Sequence, residues 1–202
     1  MLKFAPILIA LIYGYTMYRF SAWRTKSNLD QNSTLLDDKP LKYLTDKMAK
    51  SLDLSEIKVN VYETEAINGL AAPDGRIFIT RGFLNKYKIN EVTAEELASV
   101  VAHELGHVAL GHSRKRMIDF SGQNAMRVAL MMILNRFLPG FGAIIANFLT
   151  TLLAAKLSRK DEYEADAYAS ALLTKSNIGL KGQKDLLSKL DKISNSGGAM
   201  PV

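Results

Sequence analysis

The chain contains no cysteine. Neither a disulfide framework nor a thiolate metal site is open to it, so any zinc must be held by imidazole and carboxylate. Histidine is scarce as well, with 3 in 202 residues. An Arg-rich block interleaved with aromatics is missing. The basic residues are scattered, as in Lys39, Lys42, Lys47 and Lys50, and they leave a net charge of +6. That distribution reads as a solvated surface tolerant of anionic lipid, and nucleic acid is not expected as a partner. With 48% hydrophobic and 23% charged residues, the composition fits one globular domain carrying an extra apolar segment.

All the histidines lie between positions 103 and 112. The first two frame a glutamate as His103-Glu104-Leu105-Gly106-His107, the H-E-x-x-H pattern of zinc hydrolases. Residues four apart share a face of a helix, so two imidazoles can reach one ion while Glu104 projects beside them toward a metal-bound water. His112 lies five residues beyond His107, about 140° around a helix. It reads as a packing or helix-end residue, not as a ligand.

Around this motif the chain divides into an N-terminal anchor (1–26), a polar linker (27–39) and a catalytic domain (40–202). The apolar run Phe4 to Phe20 is near the lower limit for spanning a bilayer as a helix. Tyr13, Tyr15, Tyr18 and Trp23 crowd its end as an aromatic belt would, and no small-x-small cleavage site follows. A retained single-pass anchor is expected, with its orientation undecided. A helix is expected to start near Asp38 with Pro40 in its first turn. Residues Ile57 to Tyr62 alternate as a strand. Ile67 to Ala72 and Arg76 to Thr80 flank Pro73-Asp74-Gly75 and read as a hairpin. Thr93-Ala94-Glu95-Glu96 is a capping box opening the helix that carries the H-E-x-x-H motif.

A second apolar region runs from Met126 to Leu157, without charge from Phe137 to Ala155. If ligands from both sides of it bind one ion, a single membrane crossing is excluded, and its length is short of the roughly 40 residues that two crossings need. A helical hairpin turning at Pro139-Gly140 is expected. It either packs on the catalytic helix or lies against the membrane surface.

A catalytic zinc needs three protein ligands and an open position for water. With no other histidine to serve, the third should be a carboxylate. The segment Ser158-Arg159-Lys160-Asp161-Glu162-Tyr163-Glu164-Ala165-Asp166 reads as a helix in which Glu162 and Asp166 share a face. One of them can ligate the ion while the other holds a ligating imidazole from behind. Glu164 is expected to face solvent.

These elements, with the upstream segment Asn68 to Gly82, resemble the membrane-linked zinc metallopeptidases typified by the heat-shock protease HtpX and the CAAX prenyl proteases. The likeness covers about residues 40 to 175 in the same order. It implies an α+β, mainly helical, zincin-like fold with a small β-hairpin or sheet at the cleft edge. It implies one Zn²⁺ per chain on His103, His107 and Glu162, with Asp166 supporting a ligating histidine. It also implies that the strand Ile77 to Thr80 edges the cleft, so that Asn68, Ile77, Phe78 and Ile79 meet a peptide or protein substrate added as a strand. The chain departs from many relatives in having no Ser/Thr-x-His-Pro motif after the E-x-x-x-D helix, and in having one convincing span where others have several. The expected function is a zinc metalloendopeptidase in membrane-associated protein quality control. Glu104 would serve as base, with Tyr168 and Arg159 as candidates for oxyanion stabilisation. The alternative is a non-enzymatic, membrane-tethered zinc-binding adaptor of chaperone type.

Overall fold

The computed structural model describes residues 5–72, 74–112, 115, 126–128, 130–131 and 133–196. They form two compact units, one of residues 1–31 and 111–163, the other of residues 32–110 and 164–202.

The second unit is built on a four-stranded sheet. Its strands are β1 (Ser33–Leu35), β2 (Val59–Tyr62), β3 (Gly69–Ala71) and β4 (Ile77–Thr80), in the spatial order β1-β2-β4-β3. β1 and β3 run antiparallel to their neighbours, and β2 and β4 pair in parallel. The helices of this unit are α2 (Lys39–Ser51), α3 (Arg81–Lys88), α4 (Ala94–Ala109), the C-terminal part of α5 (Gly142–Lys175) and α6 (Lys181–Ser196). Met48 from α2, Ile79 from β4, Leu97 and Val101 from α4, and Leu173 from α5 are fully buried in one core. Burying such side chains is the main favourable term in folding.

Local chemistry explains the boundaries. Asp38 caps α2 through its carboxylate on the Leu41 amide at 2.9 Å, with Pro40 in the first turn as expected. The hairpin forms: β3 and β4 pair with Leu70 opposite Phe78, and Gly75 takes a left-handed φ of 89° in the turn. Val59 and Val61 of β2 point into the core while Asn60 and Tyr62 are half-exposed, the expected alternation over a shorter span.

The stretch expected as a linker, 27–39, is structured. The helix α1 (Ala5–Gln31) runs into it, and β1 follows, with Thr34 opposite Val61 of β2. Main-chain pairing needs no apolar alternation, so a short polar edge strand leaves no sequence signature.

The first unit contains α1, a turn at Pro139-Gly140 and the N-terminal part of α5. The turn is where the hairpin was expected, with Gly140 at φ 87° and the Phe141 amide donating to the Leu138 carbonyl. The helix beyond it does not stop at the end of the apolar run. α5 is one helix of 34 residues that also carries the acidic segment. Among the described residues no helix is long and apolar enough to cross a membrane.

Candidate metal centre

The capping box of α4 is complete. The Glu96 amide donates to Thr93 Oγ1 at 3.2 Å, and the Thr93 amide donates to Glu96 Oε2 at 2.8 Å. Lys189 of α6 reaches the same buried carboxylate, its Nζ 2.7 Å from Glu96 Oε1. Leu97, Ala98, Val101 and Ala102 are fully buried, which fixes the helix's rotation. His103 and His107 therefore emerge together from one face, four residues apart, with their Nε2 atoms 3.1 Å apart and their rings nearly perpendicular. Two nitrogens on one tetrahedral zinc, each at about 2.05 Å, stand about 3.3 Å apart. The pair is thus spaced as that ion requires.

Asp166 of α5 lies behind the first ring. Its Oδ1 is 2.8 Å from His103 Nδ1. A proton held on Nδ1 by that carboxylate leaves the Nε2 lone pair directed away from Asp166, beside His107. The close approach of the helices depends on small residues. A Cβ at Gly106 would come within 3.0 Å of the Cα and carbonyl oxygen of Ala165.

Glu162 stands one turn before Asp166 on the same unbroken helix. Two imidazoles and one carboxylate match the donor set of a catalytic zinc, with a position left for water.

Glu104 is buried, and the main chain of β3 passes over it. A Cβ at Gly69 would lie 3.0 Å from Glu104 Oε1 and 2.5 Å from Val100 Cγ1. This places the sheet edge beside the Glu104 carboxylate, but the edge is not the expected strand. β4 has β2 on one side and β3 on the other, and Ile77, Phe78, Ile79 and Thr80 are all buried. A strand whose hydrogen-bonding sides are both occupied cannot accept another, so Ile77, Phe78 and Ile79 do not form a docking edge. The outer strand on this side is β3. Asn68, just before it, is exposed, although its own main chain is bonded to Thr80.

His112 is buried, with its Nε2 3.8 Å from Asp161 Oδ1; Lys115 Nζ lies 3.5 Å from the same oxygen. Glu164 is half-buried, contrary to the solvent-facing position expected. Tyr168 is half-buried, and burial raises its phenol above the usual value; Arg159 is exposed. Sequence reasoning missed the brace behind Asp166. Ser170 Oγ lies 2.8 Å from Gln183 Oε1 of α6, and Gln183 Nε2 donates to the Asp166 carbonyl at 3.4 Å. Serine and glutamine inside helices carry no signal that would have revealed it. Gly69 was also missed, because its importance depends on a contact between distant elements.

Similarity to known proteins extends over most of the chain. The profile described as peptidase family M48 matches residues 36–192. The metalloprotease LoiP of Escherichia coli is 30% identical over 155 residues, covering 77% of this chain and 60% of that protein. The metalloprotease YcaL of the same organism is 29% identical over 156 residues, covering 76% and 59%. A protease HtpX homolog of Dictyoglomus thermophilum is 30% identical over 161 residues, covering 65% and 48%. The chain thus spans about 60% of the length of the first two relatives and about half of the third. With the profile extending from the start of α2 almost to the end of α6, over the H-E-x-x-H helix and the helix of Glu162 and Asp166, this chain belongs to peptidase family M48.

Proposed function

We propose that this chain is a zinc-dependent metalloendopeptidase whose metal is held by His103, His107 and Glu162. The observation that carries the reading is the Nε2–Nε2 separation of 3.1 Å, with Asp166 bonded to the far nitrogen of one ring and Glu104 beside the pair. Bound there, zinc would supply a Lewis acid that acidifies water and polarises a peptide carbonyl. Glu104 accepts the proton of the attacking water and returns it to the leaving nitrogen. Its burial keeps bulk water from competing for that proton. Asp166 holds His103 in the tautomer that leaves Nε2 free to ligate. The outer strand β3, over Glu104, offers its main chain to an extended substrate, so β-addition is assigned to Gly69–Ala71 with Asn68 at the end of the strand. Relatives named metalloproteases and protease HtpX homologs support the reaction class.

We further infer membrane association through α1, in a role in membrane protein quality control. The exposed Tyr13, Tyr15, Phe20 and Trp23 of α1, with Arg19, Arg24 and Lys26 among them, support contact with an interface. The experiment that tests the enzymatic reading is casein digestion by wild type, Glu104→Gln and Glu162→Ala, with zinc content measured on the same samples. Glu104→Gln is expected to keep one zinc and lose cleavage; Glu162→Ala is expected to lose the zinc. Cleavage by Glu104→Gln at the wild-type rate would refute the base. Loss of fold on chelation, with no cleavage by the wild type beforehand, would favour a structural zinc in an adaptor.

A further inference from the structure

The helix α6 grips the helix of His103 and His107. Its first turn lies backbone to backbone on the first turn of α4. A Cβ at Gly182 would come within 2.6 Å of the carbonyl carbon and oxygen of Glu95 and 2.9 Å of the Glu96 amide nitrogen. Leu186, one turn on, is buried in the core. Lys189, two turns on, closes on the Glu96 carboxylate, with its Nζ 2.7 Å from one oxygen and 2.8 Å from the other. The same ammonium donates to the Glu91 carbonyl at 2.9 Å. Positions 182, 186 and 189 share one face of α6. Glu96 is fully buried, so its charge is costly to leave without this partner. These contacts lock α6 to α4.

From the same helix, Gln183 reaches α5. Its Nε2 donates to the Asp166 carbonyl at 3.4 Å, and Ser170 Oγ lies 2.9 Å from that carbonyl and 2.8 Å from Gln183 Oε1. Only one orientation of the amide serves this ring. Reversed, its oxygen would face the carbonyl oxygen, and two acceptors cannot bond. The direct contact of α4 with this part of α5 is made by small residues, Gly106 against the fully buried Ala165. Small side chains let backbones approach but raise no ridges against sliding. A slip of about one ångström would break the 2.8 Å bond between Asp166 Oδ1 and His103 Nδ1. The Gln183 amide is the polar link that ties the Asp166 turn to a helix already locked on α4.

We propose that Gln183 is a positioning residue for the metal centre. Through the Asp166 main chain it holds the Asp166 carboxylate on His103 Nδ1, and so fixes the tautomer of that ring. The consequence for the metal rests on the zinc reading above; the tautomer itself does not.

The test uses the full-length, metal-free protein labelled with nitrogen-15 histidine. It has three imidazoles, whose nitrogen shifts separate an Nδ1–H ring from an Nε2–H ring, and His103→Gln identifies the signal of His103. At pH 8 the imidazoles are neutral, and wild-type His103 is expected to carry its proton on Nδ1. Gln183→Met keeps the length of the side chain and removes the amide. It should raise the Nε2–H population of His103 severalfold and weaken zinc severalfold in chelator competition. Ser170→Ala opens the same ring, should act in the same direction, and serves if Gln183→Met folds poorly. Asp166→Asn should shift the tautomer by itself, and adding Gln183→Met to it should change nothing more, because the amide acts through Asp166. Leu44→Ala in α2 lowers stability through the shared core and should leave the tautomer as in the wild type. An unchanged tautomer in both Gln183→Met and Ser170→Ala would overturn the proposal. So would an equal shift in Leu44→Ala, or additive shifts in the double variant. The expected tautomer shifts in a protein that takes up no zinc would support the positioning role and refute the zinc reading.

Discussion

Gly106 of α4 and Ala165 of α5 bring two helix backbones into direct contact. A methyl group on Gly106 would lie 3.0 Å from the Cα and the carbonyl oxygen of Ala165, and 3.3 Å from Tyr168 Cβ. None of these atoms is the free end of a flexible side chain, so the helices must separate to admit it. Two effects compete in Gly106→Ala. Helix propensity favours alanine by about 1 kcal/mol. Overpacking against backbone costs about 1 to 3 kcal/mol. The second is expected to win, lowering the urea midpoint. Because the contact lies between His103 and His107, zinc affinity measured by chelator competition should fall as well. A variant more stable than the wild type would show that α5 can shift away without cost.

The hydrogen bond between Asp166 and His103 leads to a more selective prediction. Asp166→Asn keeps the size of the side chain but removes the charge that favours a proton on Nδ1. Loss of such a partner behind a metal ligand typically weakens the metal about 10- to 100-fold. The Asp166 carboxylate is about half exposed, so the fold should be little affected. Chelator competition is expected to show the loss of affinity while far-UV circular dichroism and the melting temperature without metal stay at their wild-type values. Unchanged zinc affinity would mean that Asp166 does not orient the ring.

How far the sequence revealed this arrangement depended on the distance over which each feature is encoded. The H-E-x-x-H helix, its capping box and the shared face of Glu162 and Asp166 are local, set by a period of four residues, and the geometry follows the spacing. The hairpin was equally legible, because Asp74-Gly75 and the β-branched run after it act over a few residues. The order of strands was not. Nothing in Ser33-Thr34-Leu35 announces that it will pair with β2, and the parallel pairing of β2 with β4 is a contact across a crossover. One available signal was overlooked: Ile77-Phe78-Ile79 is a continuous apolar run, the mark of a strand covered on both faces rather than of an edge. The same limit hid Lys189, whose Nζ reaches Glu96 from 93 positions away.

Gly69 tests the link between the sheet edge and the Glu104 carboxylate. In Gly69→Ala the new Cβ would meet Val100 Cγ1 at 2.5 Å and Glu104 Oε1 at 3.0 Å. Side-chain ends can move, so the protein should fold, but Glu104 must turn or β3 must lift. Displacement of a reacting group by a fraction of an ångström to 1 Å costs up to about 100-fold in rate. The expected outcome is a kcat on a peptide substrate lowered about tenfold or more, with zinc content unchanged. A wild-type kcat would show that β3 does not constrain the carboxylate.

Tyr87 gives a stability that depends on pH in a defined direction. Its phenol donates to Asp38 Oδ1 at 3.2 Å, joining α3 to the residue that caps α2. Burial, then the charge of Asp38, raises its pKa above the usual 10.0. A group raised on folding binds its proton more tightly in the native state. Its contribution is therefore complete below the unfolded value and disappears as pH rises through the folded one. Such a hydrogen bond to a charged group is worth about 1.5 to 3 kcal/mol at most, and less where it is partly exposed as here. At pH 8 the urea midpoint of Tyr87→Phe should lie below that of the wild type. As pH rises above 10 the wild type should lose stability faster than the variant, so that the two curves converge. Parallel curves across that range would show that the hydroxyl proton is not what links α3 to the α2 cap.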